Sequence, residues 1–433
     1  MTTARGPLEG TRVLEFTTAW AGPFAGRCLA YLGADVIKIE APGHPDSWRG
    51  AARGSAPFYY PELDPGEDPQ NRNVLFNSQN LDKRSLALNL KSAGSDEVMH
   101  DLIRRADVIL ANFSPGVLDR LGIGYASASS VNPRIIVVEM PAFGSGGPQS
   151  GHQGMGKTME PAAGMTGLMG YGDGTPVLTG PAIMDPTGGL NAVAAVVSAL
   201  ELREHTGHGC RAEVAQVEAA GHWIGEYVLE QVATGRTWRP GGNHVPDAAP
   251  HDAFPCRGGD QWIAIAVTDD RQWHALCNRM RRADLAADPR YATATARAHH
   301  RADLDEVISA WTVTWDKNEL ADLLQRNGVP AAPVRDGAEI AADPAMWNAG
   351  MVTELDHPRA GRRAYSTLGF RLSRTPGGHH HAAPLFGEHN DVVLRDLLGY
   401  DTGRITRLRD SGVIADRPTA DTETPRAAER KAR

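Results

Sequence analysis

The chain has 433 residues, room for two or three domains and a large core. It is 41% hydrophobic and 22% charged with a formal net charge of −8, which excludes a general polyanion-binding surface and leaves any grip on phosphate to local basic clusters. Four cysteines, Cys28, Cys210, Cys256 and Cys277, make no CxxC pair, which argues against a disulfide scaffold or a zinc site and for reduced thiols. The stretch MTTARGPLEG lacks the apolar segment of a signal peptide, and AVAAVVSAL at 192–200 is too short to span a bilayer, so the expectation is a soluble, cytoplasmic protein.

In chain order, VLEF at 13–16 predicts a strand and TTAWAGP at 17–23 a loop. FAGRCLAYL at 24–32 predicts a helix stopped by Gly33, and DVIKIE at 35–40 a second strand. This is a βαβ unit, and it predicts a parallel sheet. SLALNL at 85–90, a helix through VMHDLIRRA, DVILAN at 107–112 and RIIVVEM at 134–140 continue the pattern. The fold class is α/β: a Rossmann-like open sheet as the large domain plus a smaller α+β domain. Open sheets bind ligands beyond the carboxyl ends of their strands, which directs attention to the loops after residues 16, 40, 90, 112 and 140.

Residues 144–180 are glycine-rich, and a helix from Pro186 to about Glu204 follows. The composition shifts at 234–250, a linker or flap. The domain expectation is a large Rossmann-like domain whose first part covers 1–230, a linker or flap at 231–250, a small domain at 251–330, a return to the large domain over 331–414 and a disordered tail at 415–433. The HHH tract at 379–381 lies in a Gly/Pro loop where three adjacent histidines cannot face one ion, so no metal site is expected.

The loop TTAWAGPFAG joins a strand to a helix N-terminus through small residues, a geometry that lets backbone N–H groups face an anion. It is not GxGxxG, so the dinucleotide fingerprint is absent, and Glu40 reads as a strand-end surface carboxylate. Arg49, Arg53, Lys83, Arg84 and Arg120 sit near strand ends, either as solvated surface charge or as ligands for phosphate. Asp185 is the sole charged side chain between Asp173 and Glu201. Standing before Pro186, it has the profile of a helix N-cap, and an ionised carboxylate in an apolar pocket is also what covalent catalysis by Asp needs.

The ordered stretches PLEGTRVLEFTTAWAGP, LGADVIKIEAPG, DKRSLALNLK, ADVILANFSPGVLDRLGIGY, NPRIIVVEMPAFGSGGP, GPAIMDPTGGLNAVAAVVSALELREHTGHG, APHDAFPCRGGDQWIAIAV and APLFGEHNDVVLRDLLG run over almost the whole chain. Together they resemble family III CoA-transferases, the group of formyl-CoA, carnitine and bile-acid CoA-transferases. The resemblance implies an interlocked homodimer and transfer of CoA from an acyl-CoA to a free carboxylic acid, with CoA as substrate and no permanent cofactor or metal. It implies that Asp185 is the nucleophile, forming an aspartyl anhydride and then an aspartyl-CoA thioester. It implies CoA contacts at Trp20, Ala21, Arg49, Asn80 through Lys83, Asn112, Phe113, Ser114 and Arg120. Trp20 and Ala41 depart from the residues, Gln and Arg, that stand there in some members. Gly241, Gly242 and Asn243 match a glycine flap in shortened form, and Glu160 either lines the acyl pocket or is a surface or capping carboxylate. The loop at Trp20 and Ala21 is the candidate oxyanion donor. Two alternatives stay open. An acyl-CoA racemase needs a His-Asp pair, but the family's His position falls on Met155 and His152 is out of register. A catalytically silent CoA-binding homologue is the other.

Overall fold

The computed structural model describes residues 6–50, 56–171 and 174–419, which leaves Arg53 and most of the expected tail outside the described residues. Two compact units emerge. One comprises residues 1–166, 178–237 and 347–433, and the other 167–177 and 238–346. The second unit therefore includes a short segment near 170, and the chain returns to the first unit at Trp347.

The first unit is built on six parallel strands: β1 (Arg12–Phe16), β2 (Asp35–Glu40), β3 (Arg84–Ala87), β4 (Val108–Ala111), β5 (Ile136–Glu139) and β6 (Arg211–Glu213). Their order is β3-β2-β1-β4-β5-β6. Leu14 aligns with Ile37 on β2 and with Ile109 on β4. Alternation along each strand sends side chains to opposite faces. Leu14, Ile37, Ile109 and Val137 pack beneath the sheet with Val98 and Leu102 of α2 (Ser95–Arg104) and with Val393, Leu394 and Ile414 of the returning chain. Val13, Val36, Val108, Leu110 and Val138 pack on the other face with α1 (Ala21–Tyr31) and with Ala192 and Val196 of a long helix. Both faces are covered, which is why the strands read as continuous apolar runs. Each such side chain contributes roughly 1.5–3 kcal/mol by leaving water.

The helices that position the site are α1, α3 (Gly156–Ala162) and α4 (Met184–Thr206). Helix α4 begins earlier than the proline suggests, because residues 181–183 already turn: Ile183 N–H donates to Pro181 O at 2.9 Å and Asp185 N–H to Ala182 O at 3.1 Å. Asp185 therefore lies inside the first turn rather than at the cap, and its side chain does not cap α4.

The second unit has a core of its own around Phe254, Ile263, Ile265, Trp273, Leu304 and Leu324. A three-stranded antiparallel sheet of β7 (His251–Pro255), β8 (Trp262–Ala266) and β9 (Ala331–Pro333) packs with its helices there. Within it Gly242 N–H donates to Gly170 O at 2.9 Å, and Asn243 Nδ2 donates to Asp252 Oδ1 at 2.8 Å. His244 Nε2 lies 3.2 Å from Asp252 and 3.9 Å from Asp305.

Candidate active site

In this strand order the direction of winding reverses between β1 and β4, so the loops leaving their carboxyl ends diverge and open a crevice. The β1 loop carries Thr18, Ala19, Trp20 and Ala21, and the β4 loop carries Asn112, Phe113 and Ser114. All seven line a cavity of about 1100 Å³, together with Asp185. Asn112 joins the loops by accepting from Thr18 N–H at 2.9 Å and donating to Thr18 O at 2.8 Å.

Asp185 reaches across from α4 to α1. Its carboxylate faces the backbone N–H of Ala21, the first residue of α1, which favours the ionised form; the preceding residue Trp20 provides no side-chain cap. Burial dominates its ionisation and pushes its pKa up to about 6, with the Ala21 N–H opposing that shift. Two glycines make the approach possible. A Cβ on Gly189 of α4 would come within 2.8 Å of Ala21 O, and one on Gly156 would lie 1.9 Å from the Asp185 carboxylate. The first clash is with backbone, and a Cβ on Gly156 would also lie 2.5 Å from Ala182 Cβ, so hydrogen is what fits at both positions.

Beneath the β1 loop lies a closed set of charges. Lys38 Nζ is 3.1 Å from Glu15 and 2.8 Å from Asp46, Lys83 Nζ is 2.8 Å from Glu15, and Arg49 makes two 2.8 Å bonds to Glu40. Burial opposes the charge on Glu15 and on Glu40, and their cationic partners overcome it and hold both carboxyls below the usual range. Burial lowers Lys83 to about 8, with Glu15 opposing. Asp46 Oδ1 accepts from Ala19 N–H and Trp48 N–H, both at 2.9 Å, and so pins the β1 loop where Ala19 takes a left-handed φ of 63°.

These pairings decide how the basic candidates are placed. Arg49, Asn80 and Lys83 are buried, and none lines the cavities described here. Arg49 instead stacks over Phe76 at 3.6 Å, and Asn80 accepts from Lys83 at 2.9 Å. Glu40 is buried against Arg49 rather than at the surface. Arg84 pairs with Asp35 at the amino ends of β3 and β2, the end of the sheet opposite the crevice. Arg120 does face a hollow, beside Lys91, a residue the sequence reading passed over. Lys91 also lines a second cavity of about 800 Å³ beyond β1 to β4, which shares Thr18, Phe113 and Ser114 with the Asp185 cavity. The crevice thus offers adjoining spaces from Asp185 to a pair of cations.

Glu160 is fully buried and accepts from Thr179 N–H at 2.8 Å and Thr179 Oγ1 at 2.6 Å. It does not line the Asp185 cavity. Its work is to fix the segment that enters α4. The HHH tract is likewise structural: His379 Nδ1 is 2.6 Å from Asp82, and the backbone N–H groups of His380 and His381 donate to that carboxylate at 2.7 Å each. His152 and Met155 both line the Asp185 cavity.

A doubly wound sheet with a partly buried carboxylate at its switch point and an extended strand-end crevice has the layout of an α/β enzyme for a long ligand. Comparison with known proteins gives the family. The family model for CoA-transferase family III matches residues 8–390. A formyl-CoA:oxalate CoA-transferase of Rhodopseudomonas palustris (strain HaA2) is 32% identical over 430 residues, covering 94% of this chain and 97% of that protein. A succinyl-CoA–D-citramalate CoA-transferase of Chloroflexus aurantiacus is 30% identical over 408 residues, covering 94% and 98%. The crystal structure of a CAIB/BAIF family protein from Brucella suis matches with a TM-score of 0.80 at 29% identity, over 91% of this chain and 100% of that one. The chain belongs to CoA-transferase family III and is an enzyme that transfers CoA.

Proposed function

We propose that the enzyme moves CoA from an acyl-CoA donor to a free carboxylic acid, with Asp185 as the covalent nucleophile. The observation that carries this reading is the placement of Asp185: a partly dehydrated carboxylate, facing the Ala21 N–H, at the cavity that adjoins the strand-end crevice. With a pKa of about 6 it is mostly ionised at pH 7. Its oxygen attacks the thioester carbonyl, the C–S bond breaks, and an acyl–aspartyl anhydride forms with release of CoA thiolate. The thiolate attacks the aspartyl carbonyl, the donor acid leaves as its carboxylate, and an aspartyl-CoA thioester remains. The acceptor carboxylate attacks that thioester, releasing the thiolate and forming a second anhydride. The thiolate then takes the acceptor's acyl group and regenerates Asp185. A carboxylate suffices as nucleophile because binding of the CoA body holds the reacting carbons in place.

Trp20, Ala21, Asn112, Phe113 and Ser114 are the proposed contacts along CoA, with Arg120 and Lys91 taking its phosphates. Arg49, Asn80 and Lys83 act indirectly, through the buried charges that support the β1 loop. Gly241, Gly242 and Asn243 remain the proposed flap. CoA thioesters are intracellular metabolites, which supports a cytoplasmic setting. The test is incubation with acyl-CoA and hydroxylamine, read by mass spectrometry. A hydroxamate at Asp185 is expected, with CoA binding retained but transfer abolished in Asp185→Ala. Unchanged transfer by Asp185→Ala rejects the nucleophile. One observation favours a second reading, α-proton exchange: His152 lines the same cavity. It predicts deuterium uptake at the acyl α-carbon in D2O.

A further inference from the structure

The walls of the Asp185 cavity carry information about the acyl group. They include Trp20, Trp48, Leu75, Met155 and Met159. Trp20 and Trp48 lie with ring centroids 5.7 Å apart and planes tilted by 38°, so the two indoles form one extended apolar surface. Trp20 and Asp185 line this one cavity, so the indole surface and the carboxylate share the same space.

Charge is scarce there. Among the described residues lining the cavity, the formally charged side chains are Asp185 and the exposed Lys157. The nearby cations Lys38, Lys83 and Arg49 are buried and committed to Glu15, Asp46 and Glu40. A second carboxylate carried by the acyl group would enter beside ionised Asp185, with the exposed Lys157 as the formally cationic side chain among the described lining residues and none of the buried cations free to meet it. Such a charge is costly to desolvate. An uncharged acyl group meets no such penalty and gains contact with the indoles.

We propose that this enzyme transfers uncharged, apolar acyl groups of aryl or branched-alkyl type, and that Trp20 sets that selectivity. The inference rests on the CoA-transfer reading above. Transfer is measured with acetyl-, isovaleryl-, benzoyl- and succinyl-CoA, each paired with a common acceptor acid, for the wild type, Trp20→Ala and Trp20→Phe. The expected wild-type kcat/KM is at least about tenfold higher for benzoyl- and isovaleryl-CoA than for succinyl-CoA, the discrimination an apolar pocket supports. Trp20→Ala is expected to lower the ratio of benzoyl to acetyl kcat/KM about tenfold, beyond whatever loss the two donors share through the CoA contact, and Trp20→Phe to restore most of that ratio. Succinyl-CoA as the preferred donor, or equal losses on acetyl- and benzoyl-CoA in Trp20→Ala, overturns the proposal while the Asp185 reading stands. Absence of any acyl transfer and of any Asp185 hydroxamate across the panel overturns both.

Discussion

At the scale of single residues, burial holds Asp185 in a state that costs stability. Its folded-state pKa of about 6 is above the unfolded value of about 3.9. Ionisation therefore costs the native state free energy. That cost is absent below about pH 4, grows between about pH 4 and 6, and is constant above. Two outcomes follow from the same shift. The kcat/KM for CoA transfer should fall tenfold per pH unit below about pH 6, as the carboxylate is protonated. Asp185→Asn should be inactive yet more stable than the wild type at pH 7, by on the order of 1 kcal/mol after allowing for partial solvent screening, and the gain should vanish near pH 4. Denaturant melts of both proteins across pH check this, and a stability difference independent of pH would reject it. The residue was legible in the sequence as one charge before an apolar helix. Its partner was not, because Ala21 is remote in sequence and only the crossing of α1 and α4, enabled by Gly189, brings them together. Lys91 was missed for a related reason: it lies in the turn after β3, and nothing local separates a lysine facing a crevice from one facing solvent.

At the scale of elements, the β1 loop depends on charges below it. Glu15, Glu40 and Asp46 are matched by Lys38, Lys83 and Arg49, so the set is neutral only when complete. Asp46 does two jobs. One oxygen faces Lys38 at 2.8 Å, and the other accepts the N–H of strained Ala19. Asp46→Asn keeps an acceptor for the loop and removes one of the two carboxylates that face a fully buried lysine. Breaking one partner of such a pair costs about 3–5 kcal/mol. Chemical denaturation should show a loss of that order, with a drop in kcat as the Ala21 N–H loses its placement. The double variant Lys38→Met/Asp46→Asn should recover part of the stability, since the uncompensated charge is gone. A double variant no better than Asp46→Asn would show that the loop contacts, not the charge, dominate. Arg49 and Lys83 read from the sequence as candidate phosphate ligands. Position near strand ends was read correctly, but side-chain partners across three strands are not encoded in spacing, and those partners bury both cations.

At the scale of the whole molecule, the six-stranded parallel sheet was legible because its strands alternate with helices and because both faces are apolar. The extent of each unit was less so, since composition marks a linker near 234–250 while packing assigns 167–177 and 238–346 to one unit. One feature of the first unit points beyond a single chain. Helix α5 (Gly221–Thr234) has no buried residue, and Trp223, Val228, Leu229 and Val232 are 51%, 53%, 69% and 80% exposed. Leu190, Val197 and Leu202 of α4 are also about half exposed, at 53%, 43% and 49%. Apolar side chains at this density on two helices of one unit are a surface that monomers seldom leave in water. The resemblance implies a second copy of the chain as its cover, with the two chains threaded through one another. A threaded pair cannot separate by diffusion alone, so it should resist dilution in a way an ordinary dimer does not. Light scattering should give twice the 46.4 kDa chain mass, unchanged on prolonged dilution to nanomolar concentration and exchanging no subunits with a tagged copy of the chain until denaturant is added. A monomer at micromolar concentration would reject the dimer, and ready subunit exchange would reject the threading while leaving an ordinary dimer to cover α5.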